Sequence, residues 1–312
     1  MSYAKINTDI LRTLQAPGLA YYGALGFVLL VLTFGAYAFA QQWQFGLGVA
    51  GYEHPTLWSI YITNFVFWIG IAHSGTLISA VLFLFRAKWR TAVARASETM
   101  TVFAVMTAGL FPIIHIGRPW VFYWLIPYPN ERQLWVNFRS PLVWDVFAIT
   151  TYLTVSAMFL FLGLIPDIAA ARDRCTDWRK PIYRVLAVGW RGSTRQWVHW
   201  GALYGFFAAL ATPLVVSVHS VVSWDFAMTI LPGWHSTIFA PYFVAGAIFS
   251  GLAMVITLLI PLRKLLGIEN YITIHHFENL AKLIIVTSLI VGYAYLTEFF
   301  VAWYSGSTFE QG

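Results

Sequence analysis

Seven long, mainly apolar stretches dominate the sequence, at about 19–40, 57–85, 97–117, 141–165, 197–222, 237–262 and 274–303. Each reaches the ~20 residues that a helix needs to cross a ~30 Å hydrocarbon core. Lipid offers no water to backbone N–H and C=O groups, so runs of this kind must satisfy them internally, as helices. The expected fold is therefore all-α, a polytopic transmembrane bundle of about seven spans. Runs well beyond ~20 residues imply tilt or emergence into the interface rather than extra spans. Ala38-Phe39-Ala40 has the form of a signal-peptide cleavage site, but the apolar run before it is too long for one. The first run reads as an uncleaved anchor.

Composition agrees and narrows the function. Only 10% of the 312 residues are charged and 59% are hydrophobic, against ~25% charged in soluble domains. So few charges cannot cover a water-exposed surface, which excludes a cytosolic enzyme, a nucleic-acid binder and a disordered chain. A single cysteine, Cys175, rules out an internal disulfide, a cysteine-ligated iron–sulfur cluster and a cysteine-based zinc site.

The net charge of +6 is a matter of topology. Fifteen of the 19 basic residues fall in the N-terminal arm (Lys5, Arg12) and in alternate links: Arg86 to Arg95, Arg172 to Arg195, and Arg263 with Lys264. The opposite side has only Arg118, Arg132 and Arg139. Lys282 lies inside the seventh span. The positive-inside rule then places the N-terminus in the cytoplasm. The outer third-to-fourth link, about 118–140, alternates aromatics and prolines with these three arginines. Such a segment suits an interfacial belt, or a lid over a site at that face.

Ionisable groups at membrane depth are costly, so each is a functional candidate. His115 ends the third span, after Pro112 and before Gly117, Arg118 and Pro119. Asp145 opens the fourth span, behind Ser140 as a natural N-cap and Pro141 at the first helical position. These two helix ends meet one membrane face, and a single link joins them. The fifth span ends on that face with His219, Ser220, Ser223 and Asp225, and Glu298 lies late in the seventh. A concentration of His and Asp at one depth suits proton transfer. His73, followed by Ser74 and Thr76, lies roughly 24 Å along the second span at ~1.5 Å per residue. Those three read either as a proton path or as interhelical hydrogen bonding. Glu98, His275 and His276 read as interfacial or capping groups.

No electron carrier is visible. The chain has no C-x-x-C-H haem attachment, no glycine-rich dinucleotide fingerprint and no Walker A motif. His199 and His219 are 20 residues apart, about 200° around a helix, and cannot face one haem together. Redox work would need a lipid-soluble substrate carrying both electrons and protons, with the metal centres in another subunit. Quinol has these properties.

Three stretches carry a family resemblance: Trp68 to Arg86 (WIGIAHSGTLISAVLFLFR), 108–120 (AGLFPIIHIGRPW) and 140–149 (SPLVWDVFAI). They resemble the NrfD/PsrC-type membrane subunits of polysulfide reductase, and most closely the ActC-type subunit of alternative complex III. The resemblance implies a haem-free and metal-free helical protein of the bacterial inner membrane. It would bind quinol or menaquinol near the outer face and pass electrons to an extracytoplasmic iron–sulfur subunit, with proton translocation proposed. A homologous membrane subunit and c-type cytochromes would be further partners. By motif, His115, Asp145 and Asp225 would bind the quinol head group, Arg118, Arg139 and His219 would support them, and His73 would serve a proton path. The family core is two four-helix bundles. The expected organisation is thus a cytoplasmic arm (1–18), a peripheral first transmembrane helix (19–40), a four-helix bundle with the quinol site (57–222) and an incomplete second bundle (237–303). The rival readings are a quinone-reducing anchor of a polysulfide- or nitrite-reductase-type complex, a secondary transporter and a structural anchor.

Overall fold

A computed structural model describes residues 5–6, 8–9, 12, 16–51, 59–133, 138–228 and 238–311. Among the described residues there is no strand, and seven helices are long and apolar enough to cross a membrane. In chain order, α1 is Leu19–Phe45 and α2 is Ser59–Thr76, which continues through a π-helical segment, Leu77–Val81, into a last turn, Leu82–Leu84. Next come α3 (Ala94–His115), α4 (Pro141–Arg174) and a short amphipathic helix, α5 (Arg179–Leu186). The last three spans are α6 (Thr194–Ala227), α7 (Phe239–Leu265) and α8 (Ile274–Ser305). The all-α, seven-span expectation is met. At 34 residues each, α4 and α6 run about 50 Å, well past the ~30 Å core.

Local sequence explains the helix ends. Ser140 stands at the N-cap of α4 with an extended backbone, and Pro141 follows it, but the serine side chain makes no capping bond. The fixed φ of proline is enough there. A complete capping box opens α6 instead: Ser193 Oγ accepts from the Gln196 N–H, and Gln196 Oε1 accepts from the Ser193 N–H, both at 3.3 Å. At α8 the box is Thr273 with His276, whose Nδ1 accepts from the Thr273 N–H at 3.0 Å. Helix α3 stops at His115, and Gly117 turns the chain at φ +74° with Leu47 packed where a side chain would stand.

Two compact units are formed, residues 1–65 with 109–135, and residues 66–108 with 136–312. In the first, α1 is exposed along nearly all its length and ends on a buried glutamine, Gln42. Its Nε2 donates to the Ile114 carbonyl at 3.0 Å, and its Oε1 accepts from the Tyr61 hydroxyl. Trp43 and Trp120 pack at 5.6 Å beside this contact. Between Pro119 and Leu125 the chain forms a 3-10 turn that exposes Trp120, Phe122, Tyr123 and Trp124.

The second unit has several apolar clusters. One joins Ile78 and Val93 to Leu252, Val255 and Leu259 of α7 and Leu280 of α8. Another sets Ala80 and Phe159 against Tyr204, Ala208 and Ala211 of α6. Small residues allow the close approaches, as expected where lipid gives no hydrophobic drive between helices. A Cβ on Gly75 would collide with Thr101 and the Ser97 carbonyl of α3, and one on Gly251 with Ser74.

Candidate functional site

Asp145 and Asp225 stand at opposite termini of their helices, in the second turn of α4 and the last turn of α6. Antiparallel packing of α4 on α6 brings those ends together, and the two carboxyl groups lie within hydrogen-bonding reach of each other. Asp145 is 3% exposed. Its Oδ1 and both carboxylate oxygens of Asp225 are shielded from solvent and have no hydrogen-bond partner among the described residues. Carboxylate oxygens only accept, so two such groups can bond to each other only by sharing a proton.

Each aspartate follows a tryptophan, in Val143-Trp144-Asp145 and Ser223-Trp224-Asp225. The two indoles meet edge to face at 5.9 Å, and Trp144 Nε1 donates to the Phe138 carbonyl at 2.6 Å. The repeated Trp-Asp pair was a readable signal that these two helix ends belong together. Ser223 and Val143, two residues before the aspartates, are both buried.

Deeper in the same unit, His73 of α2 and His219 of α6 face each other with ring centroids 4.6 Å apart. His73 Nδ1 lies 2.5 Å from the Ile69 carbonyl, and its ring is tilted against Tyr152 at 5.1 Å. The Tyr152 hydroxyl meets Thr76 Oγ1 at 2.8 Å and donates to the Ala72 carbonyl at 3.0 Å. Ser74 donates to the Ile71 carbonyl at 3.2 Å. His73, Ser74, Thr76, Tyr152 and His219 are all at most 3% exposed, so they form one buried polar layer. Tyr152 carries much of that layer, and the sequence alone did not mark it: a tyrosine in an apolar run looks like any other aromatic.

His115 belongs to the first unit, half-buried at the end of α3, with the Tyr61 ring edge-on at 6.4 Å. Arg118 and Arg139 are exposed, as is Glu298 on α8. Among the described residues no group of three His, Cys, Asp or Glu side chains could hold a metal ion.

A second buried charge system was read from sequence as interfacial. Glu98 accepts from Arg95 Nη1 at 2.7 Å and from the Tyr204 hydroxyl at 2.6 Å, and its side chain is 2% exposed. Arg95 also donates to Asp167 at 2.9 Å and to the Gly163 carbonyl at 2.5 Å. Arg90 is buried over the Phe83 ring at 4.6 Å and donates to the Ser79 carbonyl at 3.2 Å, within the π-helical segment. Arg95 thus reaches partners 68 and 72 residues away, and Glu98 one 106 residues away.

Comparison with known proteins follows the same lines. The family model described as "Polysulphide reductase, NrfD" matches residues 48–310. A protein of Halobacterium salinarum, named as a putative membrane subunit of dimethyl sulfoxide reductase, is 31% identical over 250 residues, covering 78% of this chain and 53% of its own. A subunit of the selenate reductase of Mesobacillus selenatarsenatis is 19% identical over 248 residues, covering 76% of this chain and 55% of its own. The chain thus spans about half the length of the curated relatives it matches.

Proposed function

Since the chain belongs to the NrfD polysulphide reductase family, we propose that it serves as the membrane subunit of a respiratory complex, oxidising quinol or menaquinol and passing electrons to an iron–sulfur subunit. Both named relatives are subunits of reductases. A reductase consumes electrons, so the membrane subunit feeding it takes them from a reduced carrier. This favours quinol oxidation over quinone reduction. Delivery instead to the c-type cytochromes and homologous membrane subunit of an alternative complex III would use the same quinol chemistry, and the resemblance of the 68–86, 108–120 and 140–149 stretches favours that version.

The observation that carries the reading is the buried Asp145–Asp225 pair. Oxidation of one quinol to quinone releases two electrons and two protons, and a hydroxyl loses its proton more readily to a positioned base. Two carboxyls bridged by one proton can accept a second. By the sequence resemblance, His115 is the proposed second acceptor, with Arg118 and Arg139 in support. The aromatic 3-10 turn after Arg118 is a suitable interfacial rim. On the positive-inside reading these ends face outward, with the N-terminus in the cytoplasm of a bacterial cell. His73, Ser74 and Thr76 form the candidate route for protons deeper in the membrane, with Glu298, exposed on α8, as a further candidate.

Asp145→Asn tests the assignment. In the purified complex, quinol-driven reduction of the acceptor should fall about 100-fold or more, the usual contribution of a positioned base, while the subunits still co-purify. Full turnover in the variant would sink the assignment.

A further inference from the structure

A cavity of about 240 Å³ opens in the second unit between α2, α6 and α7. It is smaller than the ~300–1,000 Å³ typical of sites that engulf a whole ligand, so it suits a head group whose tail stays outside. Its walls include Phe67, Gly70, His219, Tyr242, Phe243 and Gly246, and no Asp, Glu, Lys or Arg lines it. Phe67 is 48% exposed on the α2 flank, so the opening faces the lipid side of the helix.

The Tyr242 and Ser250 hydroxyls line the cavity, and its deeply buried polar group is His219. It is 2% exposed, and its Nδ1 has no hydrogen-bond partner among the described residues. The imidazole is held rigidly, with Phe243 at 5.9 Å as well as the His73 ring on its other flank. Tyr242 is fixed by a 2.7 Å hydrogen bond to Tyr295 of α8. Gly246 has open space where a Cβ would stand. Aromatic walls, the hollow at Gly246 and one buried imidazole fit a flat ring with a hydrogen-bonding edge.

We propose that this cavity is a second ligand site, which takes a lipid-soluble planar ring bearing a carbonyl or hydroxyl, of the quinone class, with His219 as its polar anchor. The site is separate from the carboxyl pair. Asp225 lies six residues beyond His219 on α6, which puts it roughly 9 Å along the axis and about 120° around it. One faces α4, the other α2 and α7. The proposed function suggests the ligand class only; the cavity and its histidine stand without it.

Fluorescence titration of the purified complex with 2-heptyl-4-hydroxyquinoline N-oxide tests this, counting equivalents bound per chain. Two are expected in the wild type. Gly246→Leu should remove one, and His219→Phe should weaken that same one at least tenfold, with His219→Gln restoring part of the affinity. Asp145→Asn should remove only the other. A thermal midpoint for each variant identifies any that fail to fold, and Gly246→Leu, which fills open space, covers that case. Wild-type binding of one equivalent, lost with Asp145→Asn and indifferent to Gly246→Leu, would overturn the second site and leave the proposed function standing. Loss with Gly246→Leu but not with His219→Phe would overturn it too, since an acyl chain needs no imidazole. Binding lost with Gly246→Leu and His219→Phe yet untouched by Asp145→Asn would support the cavity and count against the carboxyl pair.

Discussion

Glu98 shows how far a single residue can depart from its local context. On α3 alone it is a carboxylate near a helix start, a position where acidic groups commonly cap or reach into water. Its two strongest partners, Arg95 one turn before and Tyr204 on α6, make it part of a buried ion pair. The pair is asymmetric. Arg95 keeps 37% side-chain exposure and a second carboxylate, Asp167, whereas Glu98 has 2% exposure. Removing the arginine strands a buried charge; neutralising the glutamate leaves the arginine with water and Asp167. Arg95→Met is therefore expected to destabilise the chain by about 2–3 kcal/mol, below the ~3–5 of a wholly buried pair because of that exposure. Glu98→Gln should cost only about 1 kcal/mol, since the amide oxygen still accepts a hydrogen bond. Equal losses in detergent unfolding would refute the asymmetry. At this scale the sequence named Asp145, Asp225 and His219 from their cost in lipid. It missed Tyr152 and Glu98, whose roles depend on groups 76 and 106 residues away.

Between elements, small residues decide which helices can touch. Gly75 lets α2 lie against α3, because a Cβ there would meet Thr101 and the Ser97 carbonyl, backbone that cannot move aside. Gly246 on α7 has nothing within 4 Å of that position. Gly75→Ala should then destabilise by about 1–3 kcal/mol through overpacking, while Gly246→Ala should stay within about 0.5 kcal/mol. Thermal unfolding of the two variants side by side checks this, and a neutral Gly75→Ala would show that the α2–α3 approach is looser than described. Helix existence and most boundaries were legible, because a 20-residue apolar run has one solution in lipid. Capping was less so: Ser140 reads as a natural N-cap but makes no capping bond, whereas Ser193 forms a box because Gln196 adopts the matching rotamer. Short amphipathic α5, with Arg179, Lys180 and Arg184 on one side and exposed Ile182, Val185 and Leu186 on the other, has the pattern of a helix lying in the interface.

For the whole molecule, the distribution of basic residues makes a claim that can be measured. On a Cys175→Ser background, cysteines placed at the exposed positions Arg191 and Glu131 lie on opposite sides of the membrane if the positive-inside reading is right. A membrane-impermeant maleimide should label the Glu131→Cys chain in intact cells and the Arg191→Cys chain only after lysis. The reverse pattern would invert the topology and move the carboxyl pair to the cytoplasmic side. The fold class, the number of spans and the short roster of costly polar groups were all settled by the sequence, because solvation in lipid acts on composition one segment at a time. Which of those groups meet was decided by tertiary packing alone. Asp145 finds Asp225 and His73 finds His219 because α4, α6 and α2 are pressed together at particular rotations. A rotation of one helix by a single residue, about 100°, would part them without changing the hydrophobicity of any span.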